Sequence, residues 1–366
     1  KNGFSDKGVR MKQLWLRINW RLLLTIMLWV LAALLIYTIA GWIQSDGKQA
    51  LFSWKRILIN WHGSDPEKIK DASLKLVGGI GAITYLVIRY RERSDAERSD
   101  AESKLAAAVQ QLGDKDSPTR RIAGVYALIE VSNRYGTEYH QRVVDVLCGY
   151  LRSERGHWED ENGTIVSIAD PSERDDKFYI SVDGAVESTI VGALKENCKK
   201  DEMWSECRLD LHNACFVDRV DFRRLCCKGI HARDAFFNQG VLLSNALIDG
   251  HLNMSRTIFK NEGVDFSRSI ITKICKFNGA DFNDCVFKKT QFRGKFDFKN
   301  ANFPKSLQKK FEGAKFNKAY EAEAKDVDNK FVSLPKIDGL PEGELPPGAE
   351  WKDFGRLSHS NSSGIE

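Results

Sequence analysis

The chain is poor in the signatures that announce chemistry. It contains no Gly-x-x-x-x-Gly-Lys loop, no His-Glu-x-x-His and no Gly-x-Ser-x-Gly, so P-loop phosphoryl transfer, zincin hydrolysis and nucleophile-elbow acyl transfer all lack their residues. Gly78-Gly-Ile-Gly is glycine-rich, but it sits in an apolar run with no strand before it and does not suit a phosphate. Strong charge of one sign is also missing: 55 Lys and Arg meet 50 Asp and Glu, for a net +5. The eight cysteines form no Cys-x-x-Cys pair and no zinc-finger spacing with histidine, and all lie at or beyond Cys148. Cys275 and Cys285 stand where small apolar residues recur, so they are expected to be buried hydrophobes in a reducing compartment. The reading is therefore no catalytic residues, no cofactor, no metal and no enzyme.

Long apolar runs are absent after residue 90. Before it there are two. Residues 1–21 are polar and basic, and 22–43 then run without a charge, enough for a hydrocarbon core of roughly 30 Å. Residues 72–90 form a second, weaker run interrupted by Lys75, which is expected to snorkel. Two transmembrane helices are thus expected, joined by an external loop at 44–71 that carries a short interfacial helix or a folded cover. Arg17 and Arg21 precede the pair and Arg89, Arg91 and Arg93 come after it, so both termini are expected in the cytoplasm. Gly78, Gly79, Gly81 and Ala82 offer small-residue spacing for helix–helix packing in lipid, with the first span or with another copy.

Residues 91–151 read as a charged stalk and a helical module. Arg-Ser-Asp-Ala-Glu occurs at 93–97 and again at 98–102, placing Arg93 and Glu97, and Arg98 and Glu102, on one helix face. Gly113 ends one helix, Ser117-Pro118 starts the next, and Gly136-Thr137 restarts a third. Ile122, Tyr126 and Ile129 give the second helix its apolar line, widened by Val125 and Leu128. Residues 152–205 read as a polar loop, a short strand over Phe178–Val182, and a helix capped by Asp183. That helix is suited to cover the open end of a stacked fold starting near residue 206.

From residue 206 onward the sequence is a ladder. Large apolar residues, with an occasional small one, recur every five positions at Phe222, Cys227, Ala232, Phe237, Leu242, Leu247 and Leu252. The ladder resumes at Phe266 and Ile271, then at Phe277, Phe282, Phe287 and Phe292, and last at Phe298 and Phe303. A weaker ladder of small residues includes Ala214, Ala235, Ser269, Ala280 and Ala301. A period of five fits neither helix nor plain strand, but it fits a stacked solenoid.

Ala280-Asp-Phe-Asn-Asp and Ala301-Asn-Phe resemble the pentapeptide repeat, and 206–318 as a whole follows its spacing. The resemblance implies a right-handed quadrilateral β-helix with four pentapeptides per coil. With the spans and helices upstream, the whole resembles membrane-anchored bacterial pentapeptide-repeat proteins, which implies a bacterial cytoplasmic membrane. The helical pair is also similar to a HEAT unit. On a coil of twenty, His231 and His251 would share an outer column, with no third ligand beside them. Residues 319–366 read as a mostly disordered tail: Tyr320–Lys330 is charged with helical character, and 335–366 are rich in Pro and Gly, with Trp351 and Phe354 as their only large anchors.

The ladder region carries 21 Lys and Arg against 12 Asp and Glu, a local +9. Acidic solenoids that imitate DNA are thereby excluded. Lys288, Lys289, Arg293, Lys295 and Lys299 are the expected basic interaction face. Asn261, Glu262 and Gly263 interrupt the period where a loop is expected to leave the rod. The functional reading is a membrane-anchored, non-enzymatic scaffold with a protein partner, lipid contact or self-association. Two alternatives stand beside it: an oligomerising membrane effector, as in bacterial anti-phage defence, and nucleic-acid binding by the basic solenoid.

Overall fold

A computed structural model describes residues 66–174, 176–304, 309–326 and 329, and most of 331–356. The chain divides into two units, Lys1–Arg98 and Ser99–Glu366. The first expected span, 22–43, lies outside the described residues, as do 1–21 and most of the 44–71 loop. The second, 72–90, falls within one long helix, α1 (Pro66–Leu112). Among the described residues no helix is long and apolar enough to cross a membrane, so a span at 72–90 is not supported. The apolar stretch stops at Ile88, and Arg89, Arg91, Glu92 and Arg93 come directly after it.

The helical module begins inside α1 and continues with α2 (Pro118–Tyr135) and α3 (Thr137–Arg152). Its punctuation is as expected: α1 ends at Leu112, Ser117 accepts the Arg120 amide at 3.3 Å, and Gly136 turns with φ +81°. The apolar face of α2 is rotated from the expected line. Val125, Leu128 and Val131 are buried while Tyr126 is 62% exposed, because α2 packs against α3 and against α4 (Gly184–Asn197). Glu102 pairs with Arg142 through two bonds of 2.6 and 2.9 Å.

Between α3 and α4 the expected loop contains a small antiparallel sheet of Gly156–Glu159, Ile165–Val166 and Phe178–Ser181. Glu159, Asp160 and Glu161 lie at its hairpin, where Asp160 accepts the amides of Asn162 and Thr164.

Residues 208–317 form a parallel β-solenoid of about five turns, which agrees with the repeat reading. Its strands stack in four ladders. Face I runs through Leu209, Ile230, Leu252, Cys275 and Phe296. Face II runs through Phe216, Phe237, Phe259 and Phe282. Face III runs through Val220, Val241, Val264 and Cys285, and face IV through Cys227, Ile248, Ile271, Phe292 and Phe316. Each coil advances 21 to 24 residues rather than twenty, as the register from Leu209 to Ile230 and from Phe292 to Phe316 shows.

Stacking explains the sequence ladder. Phe216, Phe237, Phe259, Phe282 and Phe303 form a column with ring centroids 4.8 to 5.5 Å apart. The expected ladder is right from Phe222 to Phe237 and again from Leu252, but Leu243 and Ile248 are inside where Leu242 and Leu247 were expected. The small column is inward too, and where it holds a hydroxyl the hydroxyl is satisfied. Thr257 donates to the Ala232 carbonyl at 2.7 Å and Thr290 to that of Phe266 at 2.8 Å, one coil back.

No loop leaves the rod at Asn261–Gly263. The turn there is one residue longer than its neighbour at 238–240, and the strands on both sides keep their pairing. Gly263 makes this possible: its φ is +68°, and a Cβ on it would lie 1.9 Å from the Asp284 carbonyl oxygen.

The tail is a further correction. Glu350–Lys352 pairs in parallel with Lys315–Asn317, Ser333 bonds to Phe296 and Phe298, and Val332 and Leu334 are buried. Trp351 packs against Phe296 and Phe316, both at 6.3 Å. A few apolar side chains and a free strand edge suffice to order a segment of otherwise polar composition.

Candidate functional site

The expected basic face is dispersed. Lys288 and Lys289 occupy the corner between faces III and IV, Arg293 and Lys295 the next corner, and Lys299 the one after. Several of these charges are already answered within the chain. Lys288 meets Glu312 at 3.0 Å, Lys295 meets Glu323 at 3.5 Å and lies over the Tyr320 ring, and Arg293 lies over the Phe354 ring. Glu262 pairs with Arg219, so the expected loop is a braced corner. Gly78, Gly79, Gly81 and Ala82 are exposed on α1, and a Cβ on any of the three glycines would meet nothing within 4 Å.

The III–IV corner does collect cations, and of those expected only Lys288 and Lys289 are among them. Arg224, Asn245, Arg268 and Lys289 stack on successive coils, each in the left-handed region with φ between +56° and +63°. Asn suits that conformation, while Arg and Lys do so at a cost of about 1 kcal/mol. No carboxylate is paired with Arg224, Arg268 or Lys289 among the described residues. Two shallow clefts, of about 380 and 470 Å³, open along this corner and share Ser244 and Asn245.

Face II is covered from within the chain. Trp158 packs edge-on against Phe236 at 4.9 Å, Tyr179 and Ile258 complete a small cluster, and Arg174 donates to the Asp234 carbonyl at 2.7 Å. Phe236 points outward and is fully buried because this sheet lies over it.

The histidines are placed differently from expectation. His251 pairs with Gly229, and His231 with Asp210 and Asn253, so His231 and His251 share no column. His231 instead faces His212, ring centroids 5.6 Å apart, with Asp210 between them. Asp210 Oδ1 lies 2.7 Å from His212 Nδ1 and 3.3 Å from His231 Nδ1. Burial works to raise the Asp210 carboxyl, but the hydrogen bond from His212 and the Arg152 charge outweigh it, and the net shift is down. Burial lowers the His231 imidazole against the pull of Asp210, which favours the neutral ring. The signal for this cluster was a histidine 21 residues after the Asp of an Asp-x-His, hidden by the assumption of a twenty-residue coil.

At the start of the rod a second polar network is buried. Arg155 and Glu187 pair at 2.7 Å with side chains 3% and 2% exposed. Glu187 also accepts the amides of Val217 and Asp218, and Arg155 donates to the carbonyls of Leu151 and Cys215. Asp183 heads α4 as expected, yet its side chain pairs with Arg121 and Tyr150 and not with the helix amides. Among the eight free cysteines, burial pushes the Cys148 and Cys227 thiols up to about 12. Neither is placed as a nucleophile.

No family model, curated protein or solved structure matches the chain.

Proposed function

We propose that the chain is a non-enzymatic scaffold whose solenoid displays the III–IV corner to an acidic protein partner. A β-solenoid is a repeat scaffold, and the carrying observation is the stack of Arg224, Arg268 and Lys289 on successive coils, three cations with no carboxylate paired to them among the described residues. The corner already accepts one carboxylate, since Glu312 sits in its cleft against Lys288. Its clefts hold Ser and Asn but no aromatic ring on which a base could stack, which favours an acidic peptide over a nucleic acid. The test is anisotropy with a labelled glutamate-rich peptide, beside a single-stranded oligonucleotide of equal charge. Salt-sensitive peptide binding, lost in the Arg224→Glu/Arg268→Glu/Lys289→Glu variant, supports the reading. Equal binding by that variant, or preference for the oligonucleotide, overturns it.

Membrane anchorage belongs to the same proposal. It rests on the charge-free run at 22–43 and on Ile83, Leu86, Val87 and Ile88, each 48–65% exposed on α1. Full-length protein is expected to resist extraction by alkaline carbonate; release into the supernatant removes this part. The effector alternative rests on Gly78, Gly79 and Gly81, which are uncovered. It requires an oligomer in detergent that Gly78→Leu disrupts, and a monomer ends it.

A further inference from the structure

Asp210 and His231 are directly opposed on neighbouring strands of face I, and His212 lies two residues past Asp210, just beyond its strand. The solenoid ladder therefore fixes the backbone beneath all three. One ligand atom from each lies within 4.8 Å of the others. Their side chains are 31–39% exposed, so an ion from solvent can reach them. Arg152, the last residue of α3, enters the same cluster. Its Nη1 is 3.2 Å from Asp210 Oδ2 and 3.1 and 3.2 Å from the two ring nitrogens of His212.

We propose that Asp210, His212 and His231 form a binding site for one divalent transition-metal ion, and that the Arg152 guanidinium is the resident cation which the ion displaces. Two imidazoles and a carboxylate suit zinc, cobalt or nickel, and three protein ligands leave coordination positions for water or a partner's side chain. The cluster's preference for a cation is visible in what it already holds. A carboxylate oxygen and an imidazole converge on one guanidinium nitrogen. The guanidinium is also incompletely held: its Nε is buried and makes no hydrogen bond. Arg233 is the other cation close to His231, and it adds to the repulsion that an incoming ion must overcome. Displacement would free the last side chain of α3 from the first coil, which couples the ion to the contact between helical module and rod.

The experiment uses the full chain without a histidine affinity tag, titrated with Co²⁺ and followed by its visible absorption, with Zn²⁺ as competitor. One Co²⁺ per chain is expected, with affinity at least about tenfold weaker in His212→Ala and in His231→Ala. Affinity is expected to be unchanged in His251→Ala. Arg152→Gln removes the competing cation while keeping a polar side chain, and is expected to bind Co²⁺ more tightly than the parent. Three results overturn the proposal: no Co²⁺ spectrum in either the parent or Arg152→Gln, binding indifferent to His231→Ala, or weaker binding in Arg152→Gln. Circular dichroism of each variant distinguishes loss of ligand from loss of fold.

Discussion

The two ends of the solenoid are closed with different proportions of side chain and main chain. At the first coil the Cys198 and Cys207 carbonyls take the Cys226 and Lys228 amides, and elsewhere side chains make the closure. The Gln141 amide bonds both the N–H and the C=O of Arg208 at 2.9 Å, imitating a neighbouring strand, and Glu187 takes the amides of Val217 and Asp218. At the last coil the closure is made by main chain. Glu350–Lys352 extends face IV, Ser333 extends face I, and Gly313 donates to the Gly348 carbonyl at 2.8 Å. Both arrangements satisfy the same exposed edge groups. The first demands particular residues at particular places, whereas the second demands only an extended segment with a few apolar anchors. The first end should therefore be brittle to substitution and the second forgiving.

The largest expected effect lies at the brittle end. Arg155→Ala leaves the Glu187 carboxyl buried without its cation, and is expected to cost about 3–5 kcal/mol, read as a drop in Tm of about 10 °C. Replacing the pair together, Arg155→Met with Glu187→Leu, should recover only part of this, because the Val217 and Asp218 amides remain without an acceptor. Full recovery would show that the pair alone matters. At the forgiving end, Trp351→Ala removes one half-buried ring and should cost about 2 kcal/mol, with the rest of the closure intact. A loss as large as that of Arg155→Ala, measured by the same melts, would erase the contrast. Smallest is Lys288→Ala: its partner Glu312 is 57% exposed, water screens the pair, and the Tm should fall by no more than about 2 °C. A Tm shift beyond that would mean the Glu312 turn is held mainly by this charge.

The same contrast decides what could be read in advance. Inward positions repeat, so the Phe column from Phe277 to Phe303 is legible as a solenoid without any structure. The capping role of α4 is legible as well, from Val186, Ile190, Val191 and Leu194 on one helix face, all buried. Main-chain closure leaves almost no mark, and 331–356 therefore looks like a disordered tail. Register failed at Leu242-Leu243, where two identical residues offer no way to decide which points inward. The site suffered most from one small arithmetic fact. A coil of 21 residues instead of twenty takes His231 away from His251 and gives it to Asp210 and His212. The basic face dispersed for a related reason: closeness along the chain near 288–299 carries the residues around three corners.

The strand Glu350–Lys352 is also a stop codon of sorts, written in conformation. A parallel stack whose final coil were open would present the same template to every passing copy of itself, and growth could continue without limit as a filament. Here the last position is taken by three residues of the same chain, two of them charged, too short and too polar to seed a successor. Whether the rod counts to about five and halts, or becomes a polymer, is thus entrusted to a strand that lends its core a single ring, Trp351.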